Sequence, residues 1–173
     1  MRGIVTFLAV LVGLLGVVTI VGVMLPSGHV VSARARFQQP QDAVWLAVSD
    51  IAASPSWRKD LAEVRQLPDQ NGHPVWRETY RDGSVLTLET VESVPSRRLA
   101  RRVIDSALPF SGTWEIQIEP ANGASQVTIT EHGEIRNPIV RFASRLISGQ
   151  RATIENYLRQ LGRKFGEEVR FIE

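Results

Sequence analysis

The residue best placed for chemistry in this chain is a carboxylate on a predicted apolar sheet face. The runs on either side of Asn122-Gly123 alternate apolar and polar residues, which places Glu131 opposite Trp114 on the apolar face. A buried carboxylate is costly unless it is paired or neutralised. Glu131 could therefore anchor a ligand hydroxyl or act as a general acid or base. The alternative, which we favour, is a structural salt bridge with Arg141 as the candidate partner.

A second pair of carboxylates lies around a predicted hairpin. A two-residue turn at Asp82-Gly83 would place Glu78 opposite Thr87 and Trp76 opposite Glu89. These side chains would share one face of the sheet, although the pattern leaves open whether that face points inward. Trp76 and Glu78 are therefore further candidates for a binding site.

Other familiar catalytic and metal motifs are missing from the sequence. It contains no cysteine, and its three histidines, His29, His73 and His132, show no H-x-x-x-H spacing. There is no G-x-S-x-G nucleophile elbow, no phosphate loop and no G-x-G-x-x-G fingerprint. We therefore expect no metal and no cofactor, and we expect a binding module rather than an enzyme.

The charge of the chain does not point to nucleic acid. Its 20 basic and 18 acidic residues leave a formal charge of +2, and Lys59 and Lys164 are the only lysines. No basic stripe interleaved with aromatic residues accompanies this small surplus. We therefore expect no nucleic-acid partner. The length of 173 residues is enough for one domain and an appendage.

The appendage is a long apolar segment at the N-terminus. Residues 4–25 carry no charge, and at 1.5 Å per residue they give about 33 Å of helix, enough to cross the hydrocarbon core of a bilayer. Arg2 precedes the segment and Pro26 follows it. We predict a single-pass membrane anchor with a short linker over residues 1–28 and a soluble domain over residues 29–173.

Two questions about this segment stay open. A cleaved signal peptide would have a shorter apolar core, but Val31-Ser32-Ala33 resembles a cleavage site. The basic N-terminus favours a domain outside the cytoplasm, whereas Arg34 and Arg36 near the other end count against that orientation. We place the chain in the cell membrane, with a lean towards an extracytoplasmic domain.

The rest of the chain alternates like an antiparallel sheet closed by a helix. Residues 29–37 predict a strand, residues 39–42 open a helix, and residues 50–54 predict a second short helix. Pro138 begins a long helix that Gly149 kinks or divides. Between them lie six predicted strands, over residues 61–67, 74–81, 84–94, 98–105, 112–119 and 125–135. The arginines of residues 98–105 suggest a partly exposed or edge-like strand.

This order of elements, together with several short motifs, resembles the START-like superfamily, also called SRPBCC or polyketide cyclase and lipid transport domains. Residues 40–45, which hold a proline and a Val-Trp pair, followed by Asp50 and by Pro-x-Trp at residues 55–57, are similar to the signature of the helix pair that opens this family. Further similarity lies in residues 112–114, in Glu131-x-Gly133, and in Asn137-Pro138 with Arg141-Phe142. The resemblance covers roughly residues 29–166.

The resemblance implies an α+β helix-grip fold, in which a curved antiparallel sheet of about seven strands wraps the long helix around an apolar cavity. Such domains bind lipids, sterols or polyketides, and some act as aromatase/cyclases, so the fold alone does not give the function. The candidate ligand-binding residues are Trp76, Glu78, Trp114, Ile116, Val127, Ile129, Glu131 and Phe142.

Three functions remain in competition at this point. The first is a membrane-tethered domain that binds a hydrophobic small molecule or lipid. The second is a cyclase- or hydrolase-type enzyme that uses Glu131 with Tyr80 or Trp114. The third is an interaction module in a membrane complex, which would have a protein partner, a filled interior and an exposed apolar patch.

Overall fold

The structure is a computed structural model that describes residues 2–146 and 150–172. Its helices are α1 (Arg2–Met24), α2 (Gln41–Ser49), α3 (Pro138–Leu146) and α4 (Gln150–Lys164), with a 3-10 turn at Ser54–Ser56. Its strands are β1 (Gly28–Phe37), β2 (Leu61–Gln70), β3 (His73–Tyr80), β4 (Val85–Val94), β5 (Arg98–Val103), β6 (Phe110–Ala121), β7 (Ala124–Ile135) and β8 (Arg170–Ile172). Gly149, predicted to kink or divide the long helix, lies outside the described residues.

The strands form one curved antiparallel sheet in the order β2-β3-β4-β5-β6-β7-β1-β8. Within the described ranges it has eight strands rather than about seven, because Arg170–Ile172 adds a short strand beside β1 that the sequence pattern did not predict. Strand β5 lies between β4 and β6, so the prediction that residues 98–105 are edge-like was wrong. The α+β helix-grip prediction is confirmed.

One face of the sheet packs against α4 and α2 to make the core. The inward residues of β1, β6 and β7 alternate with exposed ones and meet the apolar face of α4, where Ile154, Leu158 and Leu161 are fully buried. Phe37 of β1 and Val44 of α2 extend the same cluster. This core holds the sheet and α4 together at one end and leaves space between them at the other.

The two hairpins that carry most of the site differ in their turns. Around Asn122-Gly123 both turn residues have positive φ, and Trp114 pairs with Glu131 as predicted. The other loop has three residues instead of two, with Gly83 at φ +86° in the left-handed region. Glu78 therefore pairs with Leu86 rather than Thr87, and Trp76 pairs with Leu88 rather than Glu89.

Helix α1 stands apart from the sheet and touches the domain at its C-terminal end. It is long and apolar enough to cross a membrane over Gly3–Met24, and its apolar side chains are exposed. Its last turn packs on α3, where the α-carbon of Gly22 lies so close to Pro138 that a β-carbon there would be 2.1 Å from the Pro138 carbonyl oxygen. Arg141 donates to the carbonyl oxygens of Gly22 and Leu25, at 3.2 and 3.0 Å.

Candidate functional site

A cavity of about 590 Å³ lies between the inner face of the sheet and helices α3 and α4. This volume falls in the range of small-molecule and cofactor sites. Most of its wall area is apolar, and its charged groups lie in two places. The apolar lining comprises Val48, Leu86, Leu88, Leu99, Val103, Phe110, Trp114, Ile116, Val140 and Ala143.

The predicted apolar wall is divided between this cavity and the core. Trp114 and Ile116 of β6 line the cavity. Val127 and Ile129 point to the same side of the sheet, but they are fully buried in the core that packs against α4. They support the cavity from behind rather than lining it.

A buried cluster of charged groups lies along one side of the cavity. Glu78 of β3 accepts hydrogen bonds from Nη1 of Arg58 at 3.0 Å, from Nη1 of Arg101 at 2.5 Å and from the Tyr80 hydroxyl at 3.0 Å. The Glu78 side chain is only 2% exposed, and those of Arg58 and Arg101 are 9% and 13% exposed. A carboxylate removed from water in this way needs such partners to stay ionised.

The charges around Glu78 determine its protonation. Burial alone would raise the pKa of Glu78, but the charges of Arg101 and Arg58 and the hydrogen bonds outweigh burial and lower that pKa below its ordinary value. Burial and the neighbouring Glu78 raise the pKa of Tyr80 to about 12. Tyr80 is therefore a neutral hydrogen-bond donor at ordinary pH, and Glu78 is an ionised acceptor.

The same cluster is tied to the helix that closes the cavity. Nη2 of Arg58 donates to Asp60 at 2.9 Å, and the side-chain amide of Gln160 in α4 donates to the other oxygen of Asp60 at 2.8 Å. The amide oxygen of Gln160 accepts from the backbone N–H of Lys59. These bonds fix α4 against the start of β2, so the cluster is part of the frame of the cavity.

A second polar place surrounds Glu131. Its Oε2 accepts a hydrogen bond from the indole Nε1 of Trp114 at 2.9 Å, and its Oε1 lies 3.4 Å from Nε2 of His29. The predicted salt bridge to Arg141 is absent among the described residues, because that guanidinium binds backbone carbonyl groups at the end of β7 and of α1. Glu131 thus lines the cavity, and none of the described arginine side chains pairs with it.

The remaining predicted site residues lie beside the cavity. Trp76 lines a neighbouring depression of about 340 Å³ that is separated from the main cavity by Leu99. Phe142 is half-buried in α3 between Val140 and Ala143, which line the cavity. Glu89 lies on the opposite face of the sheet from Glu78 and pairs with Arg102 at 2.6 Å.

The sequence analysis missed the arginines that hold Glu78. Leu99, Arg101 and Val103 alternate on one face of β5, and all three line the cavity, whereas Arg102 faces outward and is 54% exposed. This alternation was the available signal, but the number of arginines in the strand favoured an exposed edge. No comparable signal marks Arg58, which enters the site from the turn before β2. Within the described residues, no group of three or more potential ligands could hold a metal ion.

Comparison with known proteins agrees with this architecture. Residues 28–166 match the family model described as polyketide cyclase / dehydrase and lipid transport. No curated protein matches the chain in sequence. The predicted resemblance to the START-like superfamily is thereby confirmed.

Solved structures extend the comparison. The Zhui aromatase/cyclase from Streptomyces sp. R1128 superposes with a TM-score of 0.64 at 17% identity, over 79% of this chain and 93% of that one. A START superfamily protein from Mycobacterium smegmatis superposes with a TM-score of 0.59 at 18% identity, over 77% of this chain and 94% of that one. Protein MLL2253 from Mesorhizobium loti superposes with a TM-score of 0.60 at 15% identity, over 77% of this chain and 93% of that one. At these identities the likeness establishes the fold.

Proposed function

We propose, because the chain belongs to the polyketide cyclase / dehydrase and lipid transport family, that it binds a hydrophobic small molecule or lipid in the cavity beside a membrane. The observation that carries this proposal is the cavity of about 590 Å³, walled mainly by apolar side chains. An apolar ligand placed there would remove that surface from water, at about 25 cal/mol per Å² of apolar area. The third function, an interaction module with a filled interior, does not account for this space.

The polar groups of the cavity suit a binding role. The Arg58–Glu78–Arg101 cluster ties β3, β5 and α4 together around the ligand, while Nε and Nη2 of Arg101 are buried without a hydrogen-bond partner among the described residues. Glu131 offers a hydrogen-bond acceptor on an otherwise apolar wall, where a ligand hydroxyl could be anchored. A ligand with a long apolar body and one hydroxyl or carboxylic acid group fits this distribution.

The tether is the second part of the proposal. We assign residues 1–28 to a membrane anchor with its linker and residues 29–173 to the binding domain. Cleavage after Ala33 would remove the first half of β1, which pairs with β7 along its whole length, and would also remove the docked end of α1. This pairing favours a retained helix over a cleaved signal peptide. The full-length mass of the chain in membranes washed with alkaline carbonate would establish the anchor, whereas a mature chain lacking α1 would refute it.

The binding proposal can be tested with palmitic acid that carries a photoactivatable diazirine in its chain. The full chain is reconstituted in phosphatidylcholine vesicles containing the probe, and labelled peptides are mapped after illumination. We expect saturable labelling of cavity residues such as Phe110, Ile116 and Leu88, and we expect unlabelled palmitic acid to compete. Labelling confined to α1, with no saturable component in the cavity, would refute the proposal.

One observation favours an enzyme as the second candidate. Glu131 lines the cavity within 3.4 Å of His29 and has no arginine partner among the described side chains, so its carboxylate is open to a bound molecule as a general acid or base would need to be. A cyclase- or hydrolase-type reaction would depend on this carboxylate. Conversion of a bound ligand by the full chain, and its loss in Glu131→Gln, would support the enzyme over the binding module.

A further inference from the structure

Among the described residues, the cavity opens between α3 and α4. The lining residues that are also exposed to solvent are Ala143 of α3 and Thr153 and Asn156 of α4, whereas those of the sheet are buried or half-buried. A ligand that enters or leaves the cavity without disturbing the sheet would pass these three residues. The position of α3 therefore decides what the opening faces.

Helix α3 is joined at its first turn to the end of the membrane-spanning segment. Gly22 packs against Pro138 so closely that only glycine fits there. Arg141 links the carbonyl groups of Gly22 and Leu25 to the carbonyl groups of Ile135 and Arg136 at the end of β7. The helix that borders the opening is thus held directly on the anchor.

The dimensions of the helices place this opening near the membrane surface. Gly22 lies two residues before the end of the candidate span at Met24, about 3 Å along the helix. Ala143 follows Pro138 by five residues, so it lies at most about 8 Å from that contact along the axis of α3. The headgroup layer on each side of a bilayer is roughly 5–8 Å thick. Because Ala143 can lie no more than about 5 Å beyond the end of the span, it is in the headgroup layer or deeper whatever the tilt of α3.

The side chains where α1 meets α3 suit a position at the membrane surface. The guanidinium of Arg141 lies at the end of the span, and a long arginine side chain near such an end can place its charge at the membrane–water interface. Ile139 on the first turn of α3 is 41% exposed, and Met24 at the end of α1 is 81% exposed. Both apolar side chains would be covered by lipid in a bilayer.

We propose that the cavity exchanges its ligand directly with the bilayer through the opening between α3 and α4, so that the occupant is a molecule dissolved in the membrane and not one delivered from water. This inference rests on the proposed binding function and adds the source of the ligand. The Gly22–Pro138 contact is the joint that keeps the opening at the lipid surface.

A pair of glycine variants tests this joint. Gly22→Val inserts a side chain into the contact with Pro138 and separates α3 from α1, whereas Gly16→Val changes an exposed glycine of the same helix that has nothing within 4 Å. Each full chain is reconstituted in phosphatidylcholine vesicles. The diazirine-bearing palmitic acid is then supplied from a second vesicle population, and samples are illuminated at increasing times to follow cavity labelling.

We expect probe that reaches the bilayer to label the cavity of the unaltered chain and of Gly16→Val at the same rate, and that of Gly22→Val at least about fivefold more slowly, with the same final extent of labelling. Ala143→Trp, which narrows the opening without touching α1, should slow labelling in the same way. Equal rates for Gly22→Val and Gly16→Val would overturn the inference and leave the binding proposal standing. Absence of saturable cavity labelling in every chain, including the unaltered one, would instead refute the binding function on which it rests.

Discussion

Glu78 and Arg101 form an ion pair across the inner face of the sheet, with 2.5 Å between Oε1 and Nη1 and only 2% and 13% of their side chains exposed. Arg58 completes the group from the other side of the carboxylate. Two guanidinium groups therefore share one buried carboxylate, and Asp60 supplies the second negative charge through Arg58. This arrangement makes Glu78 the residue on which the frame of the cavity depends most.

Replacement of Glu78 should destabilise the domain strongly. Glu78→Gln leaves Arg58 and Arg101 buried without their shared counterion, and breaking a buried pair in this way costs about 3–5 kcal/mol. The matched control is Glu63→Gln, whose partner Arg65 is 66% exposed, and there the change should stay within about 0.5 kcal/mol. Urea unfolding of both chains measures the difference. Equal stabilities would show that the buried cluster contributes nothing to the fold.

The same carboxylate predicts a pH dependence. The pKa of Glu78 is lower in the folded chain than its ordinary value of 4.5, so its contribution to stability is present above that value. It is lost as the pH falls through the folded pKa, because protonation removes the counterion of two buried arginines. The stability difference between the unaltered chain and Glu78→Gln should therefore be constant near about pH 7 and shrink towards about pH 3. A difference that grows on acidification would contradict this assignment.

Glu131 separates the binding and enzymatic proposals. If the apolar walls supply most of the affinity, Glu131→Gln should retain labelling by the palmitic acid probe within about threefold, since only one polar contact is altered. Glu134→Gln, an exposed position on the same strand, is the matched control. Cavity labelling is measured in vesicles as a function of probe concentration for the unaltered chain and both variants. A loss of tenfold or more, about 1.4 kcal/mol, would mean that the carboxylate dominates recognition.

Much of the fold could be predicted from the sequence because alternation and turn residues act locally. The pairing of Trp114 with Glu131 followed from Asn122-Gly123, where both residues tolerate positive φ. The other hairpin was shifted by one residue, because Asp-Gly also fits a three-residue loop with glycine in its last position. A one-residue shift changes every partner across the pair.

The site was harder to predict than the fold because its charged members come from distant segments. Glu131, Glu78, Trp114 and Ile116 were identified and line the cavity, but their roles as ligand contacts remain predictions. Arg58 meets Glu78 only because the 3-10 turn at Ser54–Ser56 brings the chain back to the sheet. The partner of Glu131 was misassigned, because Arg141 is engaged by backbone carbonyl groups that no side-chain pattern reveals.

The most direct test of the central claim is native mass spectrometry of the full chain, released in mild detergent from membranes of its own host. Two valine variants accompany it: Val103→Trp fills the cavity that Val103 lines, and Val94→Trp places the same bulk on an exposed strand end. We expect a reproducible adduct of one apolar compound on the unaltered chain and on Val94→Trp, and its loss from Val103→Trp. An adduct that persists unchanged in Val103→Trp, or a chain that carries no adduct and takes up none from added lipid extract, would contradict the claim that this cavity is a binding site.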